Sequence, residues 1–416
     1  MSYFAIIGAL FVAWLVLVLL FAPHIPYFVE EGTDPSSEHF VRVIEATCNT
    51  TLKQHNRIEI LTNGSAFYPA MLEAIRQATE TINLECYIFH RGDIADRFVE
   101  ALTERARAGV QVTIVLDAIG SFHVLASMAA RLREAGCRVE RYQRLRWHSL
   151  ARLNNRTHRE LLVVDGRVAF VGGAGISDWW TASRDGPRWR DTMARIEGPV
   201  VNQIQGVAAE NWLECCGEIL TSSRFYRPQP PAGSCAALAI ESSPSDRATI
   251  SRVLFQTLVE SATREVRIST PYFLPDKAFR RAFVRTAKRG IDVHIIVPGP
   301  LTDQRWVRRA SRRLYGDLLK AGVRIFEYQP SMMHVKMLLV DGLWSVIGTT
   351  NLDNRSFEHN DEVNVAIRDV SVNGRLAEDF RADLAASREV TLAEWQRRPI
   401  WEKLMGIVVW IFERQQ

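Results

Sequence analysis

The chain has 416 residues, 47% hydrophobic and 24% charged, enough apolar material for two large lobes with their own cores. Its net charge of +4 is mild. Cys48, Cys86, Cys137, Cys215, Cys216 and Cys235 show neither metal-ligand spacing nor a disulfide framework, and no GxxxxGK(S/T), HExxH or CxxC pattern occurs, so no cofactor and no metal is expected.

Residues 4–22 come first, nineteen positions without a charge, enough to cross a bilayer core. No basic segment precedes them and no small-residue cleavage site follows, so they read as an uncleaved transmembrane anchor. Glu30, Glu31, Asp34 and Glu38 come next and argue weakly against a cytoplasmic C-terminal side, leaving the topology open. Residues 57–220 and 241–395 then repeat one another. The segment 77–90 parallels 261–275, 105–117 parallels 286–298, and 132–143 parallels 318–329. Each half alternates amphipathic helices with Val/Ile-rich strands, an α/β pattern written twice. The Pro-, Gly- and Ser-containing stretch 221–240 reads as the linker. Arg141, Arg144, Arg146, Arg152, Arg156 and Arg159 form an acid-free basic run in the first half. Arg305, Arg308, Arg309, Arg312 and Arg313 fall on one helix face in the second. Both runs suit phosphate headgroups, an anionic membrane or a nucleic-acid backbone. The tail 396–416 reads either as a membrane-interfacial segment or as a helix docked on the core.

Within each repeat stands one motif. HVKMLLVD (334–341) is followed after six residues by GTTN (348–351), and HRELLVVD (158–165) after the same gap by GGAG (172–175). His334, Lys336, Asp341, Gly348 and Asn351 fit HxK(x)4D(x)6G(S/T)xN. The first copy keeps His158, Asp165 and Gly172, but has Glu160 in place of Lys and Gly175 in place of Asn. In extended chain, positions i and i+2 share a face, so His334 and Lys336 point the same way. A neutral imidazole can attack phosphorus, while a protonated one on the far side can protonate the leaving alcohol. Lys336 and Asn351 suit donors to phosphoryl oxygens. Gly348 and Thr349 allow close backbone approach to a phosphate, and Asp165 and Asp341 are candidates to orient an imidazole. His90, His123, His148, His294 and His359 stand outside any motif and read as structural or surface residues.

These motifs, with ECYIF (85–89), WRDTMARIEGPVV (189–201), TPYFLPD (270–276) and GTTNLDNRSFEHNDEVNV (348–365), resemble the bacterial cardiolipin synthases of the phospholipase D superfamily over roughly residues 57–400. The resemblance implies two pseudo-twofold repeats, each a β-sheet flanked by helices, with one active site between them. It implies metal-independent phosphatidyl transfer through a phosphohistidine, His158 attacking and His334 acting as acid, with Glu362 among the substrate-binding residues. Phosphatidylglycerol is the expected substrate and a second phospholipid the acceptor. The expected location is the cell (inner) membrane, with no nucleic-acid partner. A hydrolase on the same scaffold and a non-catalytic anionic-lipid-binding protein are the alternatives. For Glu160 three readings stand open: an arginine, Arg190 or Arg156, takes over the phosphate contact; Glu160 deprotonates the acceptor; or the first half-site is inactive.

Overall fold

A computed structural model describes residues 27–122, 126–143, 155–181, 188–244 and 249–399, with isolated positions beyond both ends. Most of the expected anchor 4–22 and most of the tail 396–416 lie outside these residues, as do Arg144, Arg146, Arg152, His123 and His148. Among the described residues no helix is long and apolar enough to cross a membrane.

The first half is ordered across its sheet as Arg138–Tyr142, Gln111–Asp117, Thr81–Cys86, Leu161–Val164, Val168–Gly172, Thr192–Glu197 and Lys53–Thr62. The second half repeats that order with Arg324–Tyr328, Asp292–Pro298, Glu265–Ser269, Met337–Val340, Trp344–Gly348, Asn360–Arg368 and Cys235–Ser242. In each, the first three strands are parallel and the rest antiparallel. The halves meet where Lys53–Thr62 pairs antiparallel with Cys235–Ser242, with Lys53 opposite Ala237. The two expected sheets are thus one continuous sheet whose strand order mirrors itself about the seam. The linker is correspondingly shorter than its sequence suggests, because residues 235–240 are already strand.

Alternation along the motif strands explains the layering. Leu162 and Val164 face the first half's helices, and Leu338 and Val340 face the second half's. Leu161, Val163, Met337 and Leu339 point the other way, into a third core where both halves meet. A strand covered on both faces must be apolar at every position, and these are. Helix Glu38–Thr47 precedes the first half in sequence but packs Phe40, Val41 and Ile44 into the second half's core. Ser37 caps its start by accepting from the Phe40 N–H at 3.1 Å.

The arginine face of helix Arg305–Lys320 is not simply a solvated cationic stripe. Arg308 and Arg312 both donate to Glu327, which is fully buried beneath the helix. Part of the positive charge that looked destined for an external anion is met inside the protein.

Candidate active site

Each motif histidine is positioned by the opposite half. The short strand Arg156–Thr157 pairs parallel with Asn360 and Asp361, and the His158 N–H donates to the Asp361 carbonyl at 2.8 Å. In the pseudosymmetric place Met333 bridges Arg190, and the His334 N–H donates to the Arg190 carbonyl at 2.8 Å. These cross-half contacts set each imidazole against a foreign carboxylate. His158 Nδ1 lies 3.1 Å from both Glu362 oxygens, and His334 Nδ1 lies 2.8 Å from Asp191 Oδ2. The carboxylates occupy equivalent places. Gly172 pairs with Met193 and Gly348 with Asn364, and Asp191 and Glu362 each stand two residues before those partners.

Both carboxylates are fully buried and held by other donors. Asp191 accepts from Trp180 Nε1 at 3.0 Å and from the Thr192 N–H at 2.9 Å. Glu362 accepts from the Thr349 hydroxyl at 2.5 Å. Such partners fix the ring orientation and the tautomer of the histidine they contact. The rings of Trp180 and Trp189 pack on His334 with centroids 5.4 and 5.2 Å away, and Tyr87 packs on His158 at 5.2 Å.

Lys336 lies on the same side as His334, as the i, i+2 spacing requires, although the hydrogen-bonded strand begins only at Met337. Its Nζ is 2.9 Å from His334 Nδ1 and donates to the His334 carbonyl at 2.9 Å. Burial, opposed by the nearby carboxylates Asp191, Glu362, Glu160 and Asp303, brings its ammonium down to about 8. Burial, then the Lys336 charge, lowers the proton affinity of His334 against the pull of Asp191. Lys336 is thus within electrostatic reach of both histidine-orienting carboxylates, so the two halves build one site. Asn351 is buried, its backbone N–H donates to the Ser356 hydroxyl at 3.1 Å, and its Oδ1 has no hydrogen-bond partner.

Glu160 and Gly175, the departures from the motif, are in contact. A Cβ on Gly175 would stand 2.8 Å from Glu160 Oε1 and 2.4 Å from the Ile88 carbonyl oxygen. The Glu160 carboxyl is 4% exposed and accepts from the Ile88 and Tyr87 N–H groups at 3.0 and 3.2 Å. Burial pushes it up to about 8. Neither proposed replacement cation is spare. Arg190 pairs with Asp383 at 2.9 Å and Asp379 at 3.6 Å, and Arg156 pairs with Asp117 at 3.6 Å.

One expectation needs correction: among the described residues, Asp165 and Asp341 contact no imidazole. Asp165 accepts from the Thr79, Glu80 and Thr81 N–H groups, and Asp341 from those of Thr263, Arg264 and Glu265. Their φ angles of 52° and 55° put them in the left-handed region that aspartate tolerates in turns. They close the turn after each motif strand and tie it to the neighbouring strand. Gly348 is required by strand packing: a Cβ there would meet the Val363 carbonyl oxygen at 2.2 Å. Thr349 serves the site by holding Glu362. Asp191 is the site residue that the motif spacing does not reveal; its readable signal is an acid at the start of the strand after the motif, shared with Glu362.

The family described as "Cardiolipin synthase, PLD-like domain" matches residues 71–203 and 255–384. The chain is 33% identical to the cardiolipin synthase of Alkalihalophilus pseudofirmus over 352 residues, covering 83% of this chain and 70% of that protein. It is 35% identical to cardiolipin synthase A of Pseudomonas fluorescens, covering 82% and 71%. Among solved structures, phosphatidylserine synthase from Haemophilus influenzae superposes with a TM-score of 0.65 over 90% of this chain and 100% of that one. At 14% identity, that likeness speaks for the fold alone.

Proposed function

The chain belongs to the cardiolipin synthase family of phospholipase D-like phosphatidyltransferases, and on that premise we propose that it joins two phosphatidylglycerols into cardiolipin with release of glycerol. The observation that carries the reading is the pair of histidines, one from each half, each hydrogen-bonded to a buried carboxylate of the other. One imidazole attacks the phosphodiester and displaces glycerol, which the other protonates. The second then takes the proton of the acceptor's hydroxyl as that oxygen attacks the phosphohistidine and frees the first. Lys336 and Asn351 hold the phosphoryl oxygens. The lowered proton affinity of His334 suits attack, whereas family resemblance assigns attack to His158; mapping the covalent adduct separates the two.

Membrane engagement is part of the proposal. Its support is the uncharged stretch 4–22 and exposed apolar side chains after equivalent strands of the two halves. Ile119 and Phe122 lie on the loop after the strand ending at Asp117; Leu301 lies on the loop after the one ending at Pro298, and Trp306 at the start of helix Arg305–Lys320. Both loops adjoin the site. Ser121 donates to the Tyr87 carbonyl, and the Asp303 charge is felt at His334.

The test is incubation of the detergent-purified protein with labelled phosphatidylglycerol. Cardiolipin and glycerol are expected in equal amounts and absent with His334→Ala. Phosphatidic acid without cardiolipin would establish the hydrolase instead.

A further inference from the structure

The altered first motif is the feature that the transfer reaction leaves unexplained. Glu160 comes from the first half and Lys336 from the second, at corresponding motif positions, and each is felt electrostatically by the other. Glu160 Oε1 accepts from two backbone N–H groups and the Cys86 thiol is hydrogen-bonded to the carboxyl, while its Oε2 is buried with no N–H or O–H partner. A buried carboxyl oxygen in that state is costly unless something joins it. An asparagine at 175 cannot coexist with this arrangement, since its Cβ would collide with Glu160 Oε1 and with the Ile88 carbonyl.

We propose that Glu160 and Gly175 act as one device, in which Glu160 serves as a neutral carboxylic acid whose Oε2–H donates to the bound phosphoryl group, replacing the lysine of the usual motif. The inference rests on the phosphatidyltransfer reading and concerns the binding of its phosphodiester. No proton leaves Glu160 in the reaction; it is a hydrogen-bond donor throughout. The groups facing it fit this role. Tyr68 and Cys86 beside it are pushed upward by burial and stay neutral, Tyr87 is likewise raised, and Lys336 is the cation opposite. The negative charges of Asp191 and Glu362 are engaged by histidines. A site with one lysine instead of two then carries no extra ionised carboxylate against the substrate anion. Ionising Glu160 would place a like charge beside the diester, so phosphodiester affinity falls as pH rises through the titration of Glu160, which lies near 8.

The experiment measures inhibition of cardiolipin formation by glycerophosphoglycerol, a soluble diester monoanion, between pH 6.5 and about 9.5, in wild type, Glu160→Gln and Glu160→Ala. Thermal unfolding of each variant controls for folding. Wild-type turnover in the same assay tests the transfer reading independently. Glutamine keeps the backbone contacts and a donor but cannot ionise. Glu160→Gln is expected to bind the diester within about threefold of wild type at pH 7 and to lose about one tenfold step less of its affinity by the alkaline end. Lys336 titrates in the same range and is held charged longer by an ionised Glu160, so its own contribution would make Glu160→Gln lose more affinity than wild type; a smaller loss in Glu160→Gln therefore belongs to Glu160. Glu160→Ala is expected to bind at least about tenfold more weakly at pH 7. Wild type and Glu160→Gln falling in parallel, or Glu160→Gln binding as weakly as Glu160→Ala, overturns the proposal. Absence of wild-type cardiolipin would instead overturn the transfer reading.

Discussion

At the scale of single residues, the site separates acids that orient histidines from acids that hold turns. Asp191→Asn and Glu362→Gln keep the shape but remove the charge that fixes each imidazole, so kcat should fall by about 10²–10⁴-fold with thermal stability little changed. Asp165→Asn should do the reverse. It weakens a cap that accepts three backbone N–H groups and the Thr79 hydroxyl, costing about 2 kcal/mol of stability, while the folded fraction turns over normally. The pH dependence has a definite sign. Burial pushes the Asp165 carboxyl up, but the Thr81, Thr79 and Glu80 N–H groups outweigh it and hold the carboxyl below its ordinary value. Its stabilisation is therefore present above that ordinary value, roughly pH 4, and is lost as pH falls through the lower folded value. Melting curves of wild type and Asp165→Asn should differ at pH 7 and converge in acid. The histidines and Lys336 were legible in the sequence because spacing within one strand decides their direction. The orienting carboxylates were not, because each acts on a histidine from the other repeat; His158 and Glu362 are 204 positions apart in the chain.

At the scale of elements, the strand after each motif places the carboxylate, so packing against it controls the site. Gly348→Ala drives a methyl into the Val363 carbonyl oxygen at 2.2 Å. It should cost about 1–3 kcal/mol and lower kcat together with stability, since Glu362 precedes Val363. Helix Arg305–Lys320 carries a different kind of dependence. Glu327 is buried and neutralises Arg308 and Arg312, and Arg388 also reaches it at 3.3 Å. Glu327→Ala would leave the buried Arg312 with Glu402 as its remaining acid partner and should destabilise by about 1–3 kcal/mol, measured by denaturant unfolding. The sequence showed these elements and their repeat, because periodicity of side chains is a local property. It did not show that the arginine stripe folds over an internal acid, because Glu327 lies on a strand whose alternation alone does not say what covers it.

At the scale of the whole molecule, two repeats share a continuous sheet, a common core and one site. Both histidines of the proposed site stand in one chain, so mixing His158→Ala protein with His334→Ala protein should restore no turnover. Recovery on mixing would place the site between chains. The two-repeat architecture was readable from internal repetition, but the fusion of the sheets through Lys53–Thr62 and Cys235–Ser242 was not, since edge pairing is decided by which strands the tertiary fold leaves open. The most direct test of the account is to quench the wild-type protein during turnover of labelled phosphatidylglycerol and map the covalent adduct by mass spectrometry under alkaline conditions. The account predicts a phosphatidyl group on His158 or His334, with none when both are replaced by alanine. Cardiolipin formed with no histidine adduct, or an adduct on a carboxylate such as Asp191 or Glu362, would contradict it.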